Sequence, residues 1–312
     1  MTQKHPISLK ILVTGGAGFI GRYLVEHLLE NHQVAIYDNL SNSSMDNIKP
    51  LLEKGAKFQY GDILDYKELE KSCSGYDLII HLAAKSDVAE SEINPDETNA
   101  VNVEGTTNVL KCCVKNKIGK LIFASSAAVY GNYDFEINEN TKLNPQSPYG
   151  KSKVLGEQEI EKFSRKYNID AISFRMFNVY GKDDRQSGVI SKFVRNISND
   201  ESIVINGDGK QTRDFISIDD VVSAFDCAIK NIDGKRGSAY NIATGKSITI
   251  GELAELIIKK SGKKIQVKHK EALKGDIKNS KASVVLAQKE LGFLAKHQLS
   301  EDISQILGNS NV

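Results

Sequence analysis

No apolar run in this sequence approaches the roughly 18 residues that a membrane span needs. The opening stretch, MTQKHPISLK, carries no hydrophobic segment of a secretion signal. Excess charge of either sign is also missing. Against 41 Lys and Arg stand 40 Asp and Glu, so no strong field recruits nucleic acid or an anionic membrane. The lysine-rich stretch 257–270 (IIKKSGKKIQVKHK) reads as a solvated helix end followed by a strand. Cysteines are few. Cys73, Cys112, Cys113 and Cys227 show neither C-x-x-C nor framework spacing, and the adjacent Cys112 and Cys113 fall in an expected helix. They read as reduced thiols of a cytoplasmic protein. The six histidines form no H-x-x-x-H or Cys/His set, so no metal site is expected.

What remains is a near-neutral chain of 312 residues, enough for roughly two domains of about 150 residues each. Short β-branched runs alternate with helical segments through its first half. Strands are expected at 10–15 (KILVTG), 33–38, 57–62, 76–83, 120–126 and 170–176. Helices are expected at 19–30, near 45–54, 65–73 and 98–116, and from Tyr149 to about Tyr167. This alternation points to an α/β fold, a Rossmann-like doubly wound parallel sheet. After Phe177 the rhythm loosens, with Gly-rich turns at 206–211 and 243–247. The expected division is a dinucleotide-binding domain over 1–176 and a smaller mixed α/β domain over 177–312, with 214–230 returning to pack on the first.

TGGAGFIG (14–21) follows the first strand and opens the first helix. Its glycines, Gly15 or Gly16, Gly18 and Gly21, let backbone approach a pyrophosphate whose charge suits a helix N-terminus. Asp38 ends the second strand 22 residues after Gly16. A carboxylate there takes the adenosine ribose hydroxyls and repels a 2′-phosphate, so NAD is expected rather than NADP. Asp62 and Ile63 end the third strand, and HLAA (81–84) ends the fourth; each also suits plain strand-end packing.

SPYGKSK (147–153) sets Tyr149 and Lys153 one helical turn apart behind a proline. Such a pair is ordinary on a helix surface. It is also what a phenolic base requires, because a phenol with a pKa near 10 ionises at neutral pH only beside a cation. The spacing alone leaves both readings open.

The ordered series TGGAGFIG, YDNLSNS, GDI, HLAA, NVEGT, SSAAVYG, PQSPYGKSK, FRMFNVYG and GDGKQTRDFI resembles the extended short-chain dehydrogenase/reductase family. Its likeness is greatest to nucleotide-sugar 4-epimerases of the UDP-glucose 4-epimerase type, and it runs from about Leu9 to about Phe293. The resemblance implies that Tyr149 is the catalytic base, that Lys153 lowers its pKa and holds the nicotinamide ribose, and that Ser126 bonds the reacting sugar hydroxyl. It places Gly15, Gly18, Phe19, Ile20, Gly21, Asp38, Asn39, Asp62, Ile63, Leu82, Ala83, Ala84 and Phe177 on bound NAD, together with Tyr149 and Lys153. For the UDP-sugar it implies Ser86, Ser126, Asn178, Gly188, Val189, Val204, Ile205, Asn206, Arg213, Asp276 and Ser280. It also implies a homodimer built through the Tyr149 helix and the 98–116 helix.

Related dehydratases and decarboxylases carry an Asp-Glu pair or a Glu after the catalytic serine or threonine, where this sequence has Ala127 and Ala128. Epimerisation is therefore expected, with reduction of a nucleotide-linked 4-keto sugar as the alternative. Three positions depart from the pattern. Leu273 replaces an arginine on the diphosphate, Ser86 replaces a lysine near the cofactor with Lys85 one position early, and Val101 replaces an asparagine. The resemblance sets Ser280, counted from the Gly275–Asp276 pair, beside the carbon 2 substituent, where a small residue implies room for an N-acetyl group.

Overall fold

A computed structural model describes residues 8–182, 188–272 and 277–309. Its first half runs β1 (Lys10–Thr14), α1 (Phe19–Leu28), β2 (Gln33–Asp38), α2 (Met45–Glu53), β3 (Lys57–Tyr60), α3 (Tyr66–Ser72) and β4 (Leu78–His81). Then come α4 (Val88–Ile93), α5 (Pro95–Asn99), α6 (Gly105–Asn116), β5 (Lys120–Ser126), α7 (Pro148–Tyr167) and β6 (Asp170–Met176). The remainder is β7 (Asn178–Tyr180), α8 (Val189–Ser198), β8 (Ile203–Asn206), β9 (Thr212–Ser217), α9 (Ile218–Asn231), β10 (Arg236–Ile242), β11 (Ser247–Thr249) and α10 (Ile250–Ser261). It ends with β12 (Val267–Lys270), α11 (Val285–Leu291) and α12 (Leu299–Asn309).

Seven strands form one parallel sheet in the order β10-β6-β5-β4-β1-β2-β3. The chain winds outward from β1 in one direction through β3, then restarts at β4 and winds the other way. Between β1 and β4 lies the crevice that such a switch opens at the strands' carboxyl ends. Strand period two sorts the core into two layers. Ile11, Val13, Ile36, Ile80, Ile122, Ile172 and Phe174 face one way, under α1, α2, α9 and α11. Leu12, Ala35, Tyr37, Ile79, Leu121 and Phe123 face the other, under α3, α6 and α7. Residues buried on both faces explain why these strands read as unbroken apolar runs.

α9 lies in the first layer, where Phe225 meets Phe174 edge-on with ring centroids 5.0 Å apart. Beyond β6 two small sheets form, β11-β9-β7 and β12-β8, around a separate apolar cluster that includes Phe193, Ile205, Leu253 and Ile303. β10 then rejoins the large sheet beside β6. The Gly-rich turns are left-handed at Gly207, Gly209 and Gly245. Among the described residues no helix is long and apolar enough to cross a membrane.

The helix expected at 98–116 is present, entered from Pro95, and carries a π bulge within it. α5 ends at Asn99, a wide π turn covers Ala100–Glu104, and α6 starts at Gly105. The extra residue in that turn carries Asn102 inward, a placement common near functional sites. Its amide donates to the Lys85 carbonyl (2.9 Å) and the Ser152 hydroxyl (2.9 Å), and its oxygen accepts from Lys85 N (2.8 Å).

Candidate active site

The glycine loop is shaped by contacts that a side chain would destroy. Gly15 has φ +71, its N–H donates to the Tyr37 carbonyl, and an added Cβ would lie 2.5 Å from Ala83 N. That close approach sets the β1 loop directly against Ala83, just beyond β4. At Gly21 an added Cβ would lie 2.5 Å from Gly15 O, so only glycine lets α1 start this near the loop. α1 begins at Gly18 with no side-chain cap and no acidic residue in its first turn. Its leading N–H groups are left for an anion at the crevice. Phe19 and Ile20, both half-buried, begin the helix there.

Asp38 ends β2, as the spacing requires. Its carboxylate accepts from Ala17 N (3.0 Å) and Leu40 N (2.8 Å). Burial raises its pKa and these bonds oppose the rise. Asn39 donates to the Asp62 carboxylate (2.9 Å), which also accepts from Leu64 N (2.8 Å). Ile63 is buried, and Gly105 leaves room for it because a Cβ there would sit 2.4 Å from its Cδ1. Leu82, Ala83 and Ala84 follow β4, half-buried across from Gly15. Under this floor, His81 is wedged between Thr14 Oγ1 (2.7 Å) and Thr106 Oγ1 (3.0 Å). Burial, with the Lys153 charge second, pushes its pKa down to about 3, so the ring is neutral.

Ser126, Tyr149 and Lys153 come together at the carboxyl end of β5. Ser147 caps α7 by accepting from Gly150 N (3.0 Å), with Pro148 at the first helical position. This fixes the helix start, and the 3.6-residue period then turns Tyr149 and Lys153 to one buried side. Gly150 allows the approach of α7, since a Cβ there would lie 2.6 Å from Ala128 O. Lys153 Nζ donates to Ala124 O (2.8 Å) and stands 5.8 Å from the Tyr149 ring centroid and 4.9 Å from that of Phe123. Tyr149 N donates to Ser91 Oγ (3.2 Å). Burial raises the Tyr149 pKa, and a hydrogen bond to Ser126 lowers it. Burial pushes Lys153 down to about 7, and the Glu157 carboxylate opposes this. In so dry a site each of the two groups ionises more readily when the other is charged.

The residues assigned to the sugar nucleotide scatter more. Phe177 is buried just beyond β6, whereas Asn178 and Gly188 are exposed and Val189 opens α8 half-buried. On β8 the strand alternation exposes Val204 and Asn206 partly and turns Ile205 into the apolar core, so its backbone alone is left to face a ligand. Ser86 is exposed beyond β4, and the neighbouring Lys85 is engaged by Glu97 (2.9 Å) and Glu90 (3.4 Å). Arg213 spans the carbonyls of Thr212 (2.7 Å) and Ile277 (2.5 Å). Ser280 is buried, with its N–H on Thr212 Oγ1 (3.1 Å). Asp276, with Leu273 and Lys274, lies outside the described residues.

Four residues join this site without having been singled out from the sequence: His81, Asn102, Glu157 and Arg175. Two had a readable signal. Glu157 continues the Tyr149–Lys153 interval by another four residues, hence on the same helical face. Arg175 is a charge inside an otherwise apolar buried strand, a place where arginine needs a partner.

Comparisons with known proteins give the chain's family. The chain is 37% identical over 305 residues to a Methanocaldococcus jannaschii protein provisionally named a UDP-glucose 4-epimerase, covering 95% of this chain and 97% of that one. It is similar to the structure of a UDP-N-acetylglucosamine 4-epimerase from Methanobrevibacter ruminantium M1 in complex with UDP-N-acetylmuramic acid. That match has TM-score 0.90 and 34% identity, and covers 96% of this chain and 97% of the other. A dTDP-glucose 4,6-dehydratase from Streptomyces venezuelae, solved with NAD bound, matches with TM-score 0.91 and 28% identity over 96% of each chain. The model of the NAD dependent epimerase/dehydratase family matches residues 11–243. With three quarters of its length under that model, the chain belongs to the NAD dependent epimerase/dehydratase family.

Proposed function

We propose that this protein is an isomerase that interconverts the carbon 4 epimers of a UDP-hexose by way of a 4-keto sugar, with NAD held throughout. One observation carries the reading: Ser126, Tyr149 and Lys153 converge beside Ala127 and Ala128, with no carboxylate at those two positions. An elimination needs an acid and a base at neighbouring carbons. Loss and return of a single hydride needs one base.

The crevice fits NAD. The bare first turn of α1 suits the pyrophosphate, the Gly15–Ala83 contact leaves the floor flat, and Asp38 is placed for the ribose hydroxyls. Bound NAD supplies the acceptor and donor of hydride at carbon 4. Tyr149, as a phenolate, takes the proton of the 4-hydroxyl, and after the keto sugar turns it returns that proton to oxygen 4 as hydride comes back to the other face of carbon 4. Lys153 offsets the phenolate charge. Ser126 donates to the sugar oxygen and orients it. Because net redox change is zero, cofactor need not leave.

The substrate range includes both the glucose/galactose and the N-acetylhexosamine pairs. Support comes from the small, buried Ser280 and from the similarity to a UDP-N-acetylglucosamine 4-epimerase. The assembly is a homodimer through α6 and α7, a reading supported by Leu155 on α7, which is 42% exposed. Incubation with UDP-galactose and no added NADH tests the activity: UDP-glucose forms if the reading is right, and a reductase leaves the substrate unchanged.

A further inference from the structure

Among the ion pairs of the described residues, Glu157–Arg175 is the one in which both side chains are less than a tenth exposed (9% and 7%). Arg175 grips the carboxylate from Nε and Nη2, the latter at 2.7 Å. Desolvation offsets much of the attraction in such a pair, so stability alone is a poor reason for it. Its surroundings offer another. Ser125 donates to Glu157 Oε1 (2.5 Å), and Ser125 lies between Ala124, whose carbonyl receives Lys153, and Ser126. On the other side, Arg175 Nη1 donates to the Tyr130 hydroxyl (2.9 Å) and the Glu139 carbonyl (3.0 Å). Tyr130 donates to Asn241 Oδ1 (2.7 Å), and Asn241 Nδ2 donates to the Ser283 carbonyl (3.3 Å). Ser283 follows Ser280 in a segment zipped to Ile137 by two backbone bonds. The network therefore joins the catalytic helix to the chain beside the sugar pocket.

We infer that Glu157 and Arg175 are positioning residues. Glu157 holds the strand end bearing Ser126 and supplies the negative charge that keeps the Lys153 ammonium beside Tyr149, while Arg175 ties this arrangement to the 280–283 segment. The inference rests on Tyr149 being the base. Other ionisable groups near Lys153 do not supply that charge. His81 on β4 is neutral, Tyr130 is a phenol on the far side of Arg175, and Lys85, Glu90 and Glu97 on the α4–α5 side pair with one another, partly exposed.

The test uses Glu157→Gln, Arg175→Met and the neutral double variant, each with NAD bound. Two profiles are measured against pH: kcat for epimerisation, and the Tyr149 phenolate by ultraviolet difference absorbance against Tyr149→Phe. Glu157→Gln removes the carboxylate that holds Lys153 charged, so the apparent pKa of both profiles rises by about 1 unit, whereas Arg175→Met frees that carboxylate from its counter-charge and lowers it by about 1 unit, as a nearby unit charge does at an effective dielectric of about 20. The double variant returns near the wild-type pKa with kcat lower by about 10- to 100-fold, as misplacement of a catalytic group produces. Should a single variant fail to fold, the double variant decides by that split. Equal pKa values in the single variants, or wild-type kcat in the double, would overturn the inference. The phenolate titration needs no turnover, so opposite shifts in a protein that does not epimerise UDP-hexoses would sink the epimerase reading alone.

Discussion

Replacing Lys153 with methionine keeps the length of the side chain and removes its charge from a buried site. The ammonium stands 5.8 Å from the centre of the Tyr149 ring. At that separation and an effective dielectric of about 20, it stabilises the phenolate by about 3 kcal/mol. That equals about 2 pKa units, or about 10²-fold in the fraction of ionised base at a fixed pH below its pKa. Burial raises the Tyr149 pKa by more than the Ser126 hydrogen bond lowers it, so the variant keeps its phenol protonated near neutrality. The expected result is kcat/KM about 10²-fold below wild type at pH 7. The deficit should narrow about tenfold per pH unit once wild type has reached its plateau. Tyr149→Phe, with no base to ionise, shows no such recovery. The assay is epimerisation of UDP-galactose across the pH range, with retained NAD measured in each preparation. A deficit that is constant with pH would refute the electrostatic role given to Lys153, and so would a loss under about threefold at neutral pH.

Gly15→Ala places a Cβ 2.5 Å from Ala83 N at φ +71; the strain of about 1–3 kcal/mol, or roughly 5- to 150-fold, falls on NAD retention, measured as cofactor released per denatured chain. Ser280→Tyr crowds a buried position and lowers kcat/KM by roughly 5- to 150-fold, about 1–3 kcal/mol, for UDP-N-acetylhexosamines while sparing UDP-glucose and UDP-galactose. His81 gives an acid limit to stability. Its pKa is about 3 folded against 6.5 for a free imidazole, so below about pH 6.5 the unfolded chain binds a proton that the folded one refuses. Its contribution then falls by about 1.4 kcal/mol per pH unit as pH drops toward 3. Urea unfolding at stepped pH measures this, and the slope flattens in His81→Gln.

The strands that build the NAD crevice were legible because each is buried on both faces and reads as a continuous apolar run. β1, β2, β5 and β6 fall within a residue of expectation. β3 stops two residues early, at Tyr60, because Gly61 turns under the Tyr37 hydroxyl. The π bulge within the 98–116 helix was not legible. It depends on Asn102 finding the Lys85 backbone and Ser152, partners 17 and 50 residues away. The proposed trio was legible through the ordered family motifs, because the Tyr149–Lys153 spacing alone left both readings open and Ser126 was implied only by the resemblance. The Glu157–Arg175 pair is a contact across 18 residues, and neither residue alone announces the other. Ile205, adopted from a family pattern, has its side chain turned into the core by strand alternation, which leaves its backbone for a ligand.

In the proposed reaction hydride leaves carbon 4 and returns to the same carbon of the same sugar. UDP-galactose carrying deuterium at carbon 4 tests it most directly, incubated with the purified protein and no added nicotinamide. The expected product is UDP-glucose with deuterium retained at carbon 4, with no change in the bound cofactor after turnover. Product that has lost the label to solvent, or conversion only with consumption of added NADH, would contradict it.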